Sequence, residues 1–233
     1  MNTINEIQTL LRKSTTTLPN KATAFFKTGS GSYAENDQFI GVNVPTIRII
    51  AKKFATLSLE EIRNLLESPI NEERLLALFI LVDQYKKADT ETQEKLYQFY
   101  LNNLQYVNNW NLVDASAHVI VGAHLFSRDR EQILTLAQSN NMWHRRIAMV
   151  STFFFIRNND LEWTFKIATL LLNDTHDLIH KAVGWMLREA GKRDSNALAA
   201  FLDQHVSHMP RTMLRYAIEK FPEEKRKSYL VRK

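Results

Sequence analysis

The chain has 233 residues, 45% hydrophobic and 24% charged, enough for one large domain with a substantial buried core. It contains no cysteine, which excludes disulfides, thiolate metal sites and a thiol nucleophile. Lys and Arg exceed Asp and Glu by five and the pI is near 9.3, which points toward an anionic partner such as nucleic acid or a membrane surface.

Five prolines and six glycines are few breakers for this length, and helix signals recur along the chain. Ile4, Ile7, Leu10 and Leu11 predict a helix over 4–18. Pro19 opens a segment to about Lys27, followed by a Gly/Ser-rich loop from Thr28 to Asp37. Pro45 suits the first turn of a helix running through Ile49, Ile50 and Phe54. Ser58-Leu59-Glu60-Glu61 reads as a capping box, and Pro69 ends the helix it opens. A strong helix is predicted over 71–87, and Thr90 to Gln93 reads as a second capping box for a helix reaching Leu104. Further helices are predicted at 110–126, 129–139, 142–157, 160–173, 177–192, 195–207 and 210–221.

Alternate helices begin near 71, 110, 142, 177 and 210, a repeat of about 32–39 residues per helix pair. That spacing predicts an all-α chain, a single domain over 1–233, built as an α-solenoid of HEAT-like repeats. An irregular helical bundle is the alternative. Aligning the alternate helices puts Arg74, Arg146, Lys181 and Arg215 in one slot, each leading into an apolar run. Asp114 fills that slot in the remaining helix. The expectation is a concave basic surface with one carboxylate in the middle of its column, suited to a phosphate backbone.

Trp110 lies four residues before Asp114, and Trp185 four residues after Lys181, so each shares a helix face with a charged residue. An aromatic wall beside a carboxylate can hold a cation. Asp114 also has a plain reading, as a dipole or capping residue in a first helical turn. Trp143 and Trp163 read as core. His176 and His180, near Asp174 and Asp177, offer two metal ligands but no obvious third, so no metal site is expected. There is no Gly-rich phosphate loop, nucleophile elbow or kinase motif. Met1 to Leu18 lacks the character of a signal peptide, and no apolar run is long enough to span a bilayer; a cytoplasmic protein with no membrane partner is expected.

Several stretches together resemble the AlkD-like family of DNA alkylation-repair glycosylases, built from HEAT-like repeats. They are Phe39 to Pro45 with Arg48, Glu73 to Leu78, Asn109 to Asp114, Trp143 to Ala148, Lys181 to Glu189, and Met209 to Thr212. The resemblance spans nearly the whole chain. It implies a monomeric DNA glycosylase that needs no cofactor and excises cationic N3- or N7-alkylated purines from double-stranded DNA. It matches the family's catalytic aspartate to Asp114, its two lesion-side tryptophans to Trp110 and Trp185, and its backbone-contacting arginine to Arg146. Lys181, Arg188, Arg48 and Arg145 join the expected DNA-binding set. The Thr28–Gln38 loop is longer than the family pattern. The competing expectation is a helical-repeat module that binds DNA or protein without chemistry.

Overall fold

A computed structural model describes residues 3–16 and 26–232. The chain is all-α: among the described residues the β-type pairing is one isolated parallel bridge, Gln38 to Ile70. It divides into two compact units, Met1–Ser116 and Ala117–Lys233. The segment expected from Pro19 to about Lys27 falls mostly outside the described residues.

The first unit contains α1 (Thr3–Lys13), α2 (Val44–Lys53), α3 (Leu59–Leu66), α4 (Asn71–Lys87), α5 (Thr90–Asn102) and most of α6 (Trp110–Ala117). Pro45 does sit in the first turn of α2, where Asn43 caps the Thr46 N–H at 3.0 Å. Both bonds of the capping box are present at α3, Ser58 with Glu61. The second box is displaced: Asp89, not Thr90, caps α5 by accepting from Thr92 N–H at 2.8 Å. The two neighbours are chemically equivalent as caps, so sequence alone leaves that choice open.

Helix α4 is the centre of this unit. Every residue from Asn71 to Val82 is buried, under α1, α2, α3 and α5. A helix apolar on all sides has no solvent face to offer, so it becomes core. Its polar first turn is buried with it and must therefore find partners.

The second unit repeats a two-helix module. It contains α7 (Ala123–Leu125), α8 (Glu131–Ala137), α9 (Met142–Arg157), α10 (Glu162–Leu170), α11 (Asp177–Arg193), α12 (Ser195–His205), α13 (Arg211–Ala217) and α14 (Glu223–Val231). Helices α9, α11 and α13 pack successively on one another, while α8, α10 and α12 pack beside them. The starts of these alternate helices match the expected period. Helix α14 was not foreseen; its charged sequence hides one anchor, Tyr229, buried with its hydroxyl on Asp203 at 3.1 Å.

The predicted helix at 110–126 is interrupted by a π-helical stretch, His118–Gly122, where Ala123 N–H donates to His118 five residues back. This stretch packs on α9 so closely that a Cβ on Gly122 would lie 2.2 Å from the Ser151 carbonyl oxygen. Gly184 plays the same part between α11 and α13: a Cβ there would lie 2.5 Å from both the Met213 carbonyl oxygen and Tyr216 Cβ. Both contacts are with backbone or helix-fixed atoms, which cannot rotate away. Gly184→Ala is therefore expected to destabilise the second unit by about 1–3 kcal/mol through overpacking. Thermal unfolding measures it, and an unchanged midpoint would contradict the packing described.

Candidate functional site

Helix α6 begins at Trp110, with its entry set by Asn109. The buried Asn109 side chain accepts from Trp110 N–H at 2.7 Å through Oδ1. Its Nδ2 donates to Asp37 at 2.7 Å. Asp114 lies one turn further in, beyond the first turn, so its position is not that of a cap. Trp110 and Asp114 are both half-buried, and both line one cavity of about 440 Å³.

Aromatic rings form much of the wall. Phe26 stacks on Phe39 at 4.5 Å and on Trp110 at 5.1 Å between ring centroids, making a three-ring stack. Phe79 lines the same cavity, with the Arg48 guanidinium 4.1 Å over its ring. Two carboxylates face in, from Asp114 and Glu72. They differ in duty. Glu72 is a buried acceptor for the loop before α2, holding Gly41 N–H at 2.8 Å and Ile40 N–H at 3.1 Å. Asp114 sits beside the indole at the edge of the helix. Close behind α6, the buried Tyr100 hydroxyl bonds to Ser116 at 2.9 Å. Burial pushes the Tyr100 phenol well above its ordinary range, and the Asp114 charge pushes it further. A π-rich wall with a carboxylate in it favours a flat, cationic guest.

The structure thus brings Trp110, Asp114 and Arg48 to one cavity in the first unit. In the second unit, Trp185 is half-buried on α11, 5.8 Å from Phe153, which also meets His118 at 5.6 Å. Lys181 pairs with Asp177 at 2.7 Å and remains partly exposed. Arg188 pairs with Glu219 and, at 3.4 Å, with Glu189. Arg145 is fastened to Asp174 at 2.6 Å and to the Ser139 carbonyl at 2.9 Å.

The expected column of surface cations is not a row of solvent-facing charges. Arg74 is 6% exposed and its guanidinium is bound to Asp37 at 2.5 Å. Arg146 is 5% exposed and donates to the Leu178 carbonyl at 2.6 Å. Helical spacing located these residues on equivalent turns, but the face each turn presents is decided by tertiary packing. Trp143 is core as expected. Trp163 is not: it is half-buried between Lys166, 4.2 Å from the ring, and Arg130 at 5.6 Å. His176 caps α11 through Nδ1, and His180 Nε2 donates to the Asp174 carbonyl.

Sequence reasoning missed Asp37, Asn71 and Glu72. A signal was present: Asn71-Glu72-Glu73-Arg74 is a polar turn opening onto the apolar run Leu75 to Val82, and it must be satisfied if that part of the helix is buried.

The fold and cavity define an all-α helical-repeat protein with an aromatic, carboxylate-bearing site at the start of one helix. The profile of the family described as DNA alkylation repair enzyme matches residues 7–221, and the chain belongs to that family. A solved structure described as a predicted DNA alkylation repair enzyme from Enterococcus faecalis shares the fold, with a TM-score of 0.67 at 16% identity. The match covers 88% of this chain and 95% of that one. No curated protein matches significantly. Among the described residues no helix is long and apolar enough to cross a membrane.

Proposed function

We propose that the protein is a DNA glycosylase that hydrolyses the N-glycosidic bond of cationic N3- or N7-alkylated purine nucleotides in double-stranded DNA. The observation that carries this reading is the Asp114 carboxylate beside Trp110 in an aromatic-walled cavity, in a chain belonging to a DNA alkylation repair family.

An alkylated purine with a positive charge is already a good leaving group. As its bond to C1′ breaks, positive charge moves to the deoxyribose, giving oxocarbenium character. A fixed carboxylate stabilises that charge without having to make a strong nucleophile, and it orients the attacking water. Asp114 has that task in the proposal. Trp110 and Trp185 contact the damaged nucleotide and its sugar. Arg146, Lys181, Arg188, Arg48 and Arg145 hold the DNA backbone, directly or by fixing the segments that do. The bond-breaking step is hydrolysis and transfers no electrons.

Incubation with methylated duplex DNA tests the proposal. Abasic sites accumulating with enzyme and time are the expected result; DNA binding without abasic sites would instead favour a non-catalytic module. Lys181, partly exposed, tests the backbone contacts. Lys181→Ala is expected to weaken binding of modified and unmodified duplex alike and to lower the log–log salt slope by about 0.9. An unaltered slope would remove Lys181 from the phosphate-binding set.

A further inference from the structure

Asp37 ends the long Gly/Ser loop and does not line the cavity, yet it joins the elements that form it. It is 8% exposed and accepts from Arg74 at 2.5 Å, Asn71 at 2.8 Å and Asn109 at 2.7 Å. The first two donors open α4, and the third sets the start of α6. A second bridge runs parallel to this one, Asn111 Nδ2 donating to Asn71 Oδ1 at 2.7 Å. The loop carrying Asp37 is itself pinned, with Gln38 N–H on Pro69 at 3.0 Å and Asn71 N–H on Gln38 at 2.8 Å.

We propose that Asp37, Asn71 and Asn109 are positioning residues: their network ties the first turn of α6 to that of α4 and so fixes the angle at which Trp110 and Asp114 enter the cavity. This rests on the glycosylase reading above. Net stability is a poor explanation for the network. A buried ion pair generally returns little more than its desolvation cost, whereas directional hydrogen bonds from three residues onto one carboxylate restrict the geometry of the segments that carry them. Here the cluster closes on the residue immediately before Trp110, and Asn109 meets Asp37 with one end of its amide and the Trp110 N–H with the other. The long loop thereby gains a role: it delivers the acceptor that both helices share.

Asp37→Asn would leave Arg74 buried without its counter-charge, so substitutions at Asn109 and Asn111 are the better test. Asn109→Ala and Asn109→Ser both break the bond to Asp37, but Ser retains an oxygen able to cap α6. The readouts are single-turnover base release at saturating methylated duplex, Kd for the same duplex, and the thermal midpoint. Both variants are expected to lose about tenfold or more in rate, since small misplacements of a reacting group are costly, while Kd stays within about twofold because the DNA-contacting side chains remain. Asn111→Ala, which removes the second bridge and a half-buried side chain that also lines the cavity, is expected to show the same split with a smaller loss. Full activity in Asn109→Ser would overturn the inference, because capping alone would then suffice. Rates unchanged in Asn109→Ala and Asn111→Ala, or losses confined to Kd, would overturn it as well. Wild-type protein that releases no base would instead overturn the glycosylase reading, and this inference with it.

Discussion

Asp114→Asn is expected to reduce excision of methylated purine from duplex DNA by about 10²–10³-fold, the usual cost of removing one fixed electrostatic stabiliser from a developing charge. The substitution is nearly isosteric. It leaves Trp110, the cap at Asn109 and the aromatic stack of Phe26, Phe39 and Trp110 in place. In the proposed mechanism it removes the negative charge that stabilises the growing positive charge on the sugar. DNA binding should be retained or slightly strengthened, because an anion facing a polyanion is lost. The loss should therefore fall in the single-turnover rate and not in Kd. Excision at the wild-type rate would show that Asp114 takes no part in the chemistry.

The largest expected effect on stability comes from Arg74→Met. Arg74 and Asp37 are both buried, and Arg74 is the cation that meets the Asp37 carboxylate among the described residues. Removing one partner of a buried ion pair leaves an uncompensated charge, at a cost of about 3–5 kcal/mol. For a chain of this size that corresponds to a midpoint drop of about 6–20 °C. Combining Arg74→Met with Asp37→Asn should recover part of the loss, since the amide oxygen can still accept from Asn71 or Asn109. A single-variant loss below about 1 kcal/mol would mean the pair is solvated, contrary to its burial.

Much of this architecture could be read from residue patterns, and particular residues show where reading stopped. Pro69 and the apolar run after it set the bounds of α4 as observed, and Ser58 with Glu61 set the start of α3. These signals are local: a cap, a breaker and a periodicity act within one or two turns. The Asn109–Asp114 stretch was legible for the same reason, since its indole and carboxylate share a face by helical geometry alone. What remained hidden depends on contacts between distant residues. Arg74 looked like a member of a surface column because its turn is equivalent to those of Lys181 and Arg215. It faces inward because Asp37, 37 positions earlier, meets it there. The π-helical stretch at His118–Gly122 reflects the close approach of α9 and leaves no mark on the hydrophobic period. Helix α14 was obscured by the run Glu223 to Lys227, which is charged on every side, while the helix is anchored through its buried Tyr229.

The site divides in the same way. Asp114, Trp110 and Arg48 were named from sequence and share the cavity. Phe79, Glu72 and Asp37 were not: Phe79 gains its role when α2 brings Arg48 over its ring, and Glu72 and Asp37 when the first turn of α4 meets the loop before α2 and the start of α6. The aromatic stack is hidden for the same reason: nothing local indicates that Phe26 meets Phe39 and Trp110.

Removal of an alkylated base and removal of its alkyl group both repair alkylated DNA, and they differ in what leaves the duplex. Duplex DNA carrying isotope-labelled methyl groups on purine N3 and N7 separates them. Hydrolysis of the glycosidic bond at Asp114 predicts that the label is released as intact methylated purine, with one abasic site left for each base set free. Label released without its purine, or label retained in the duplex, would contradict it.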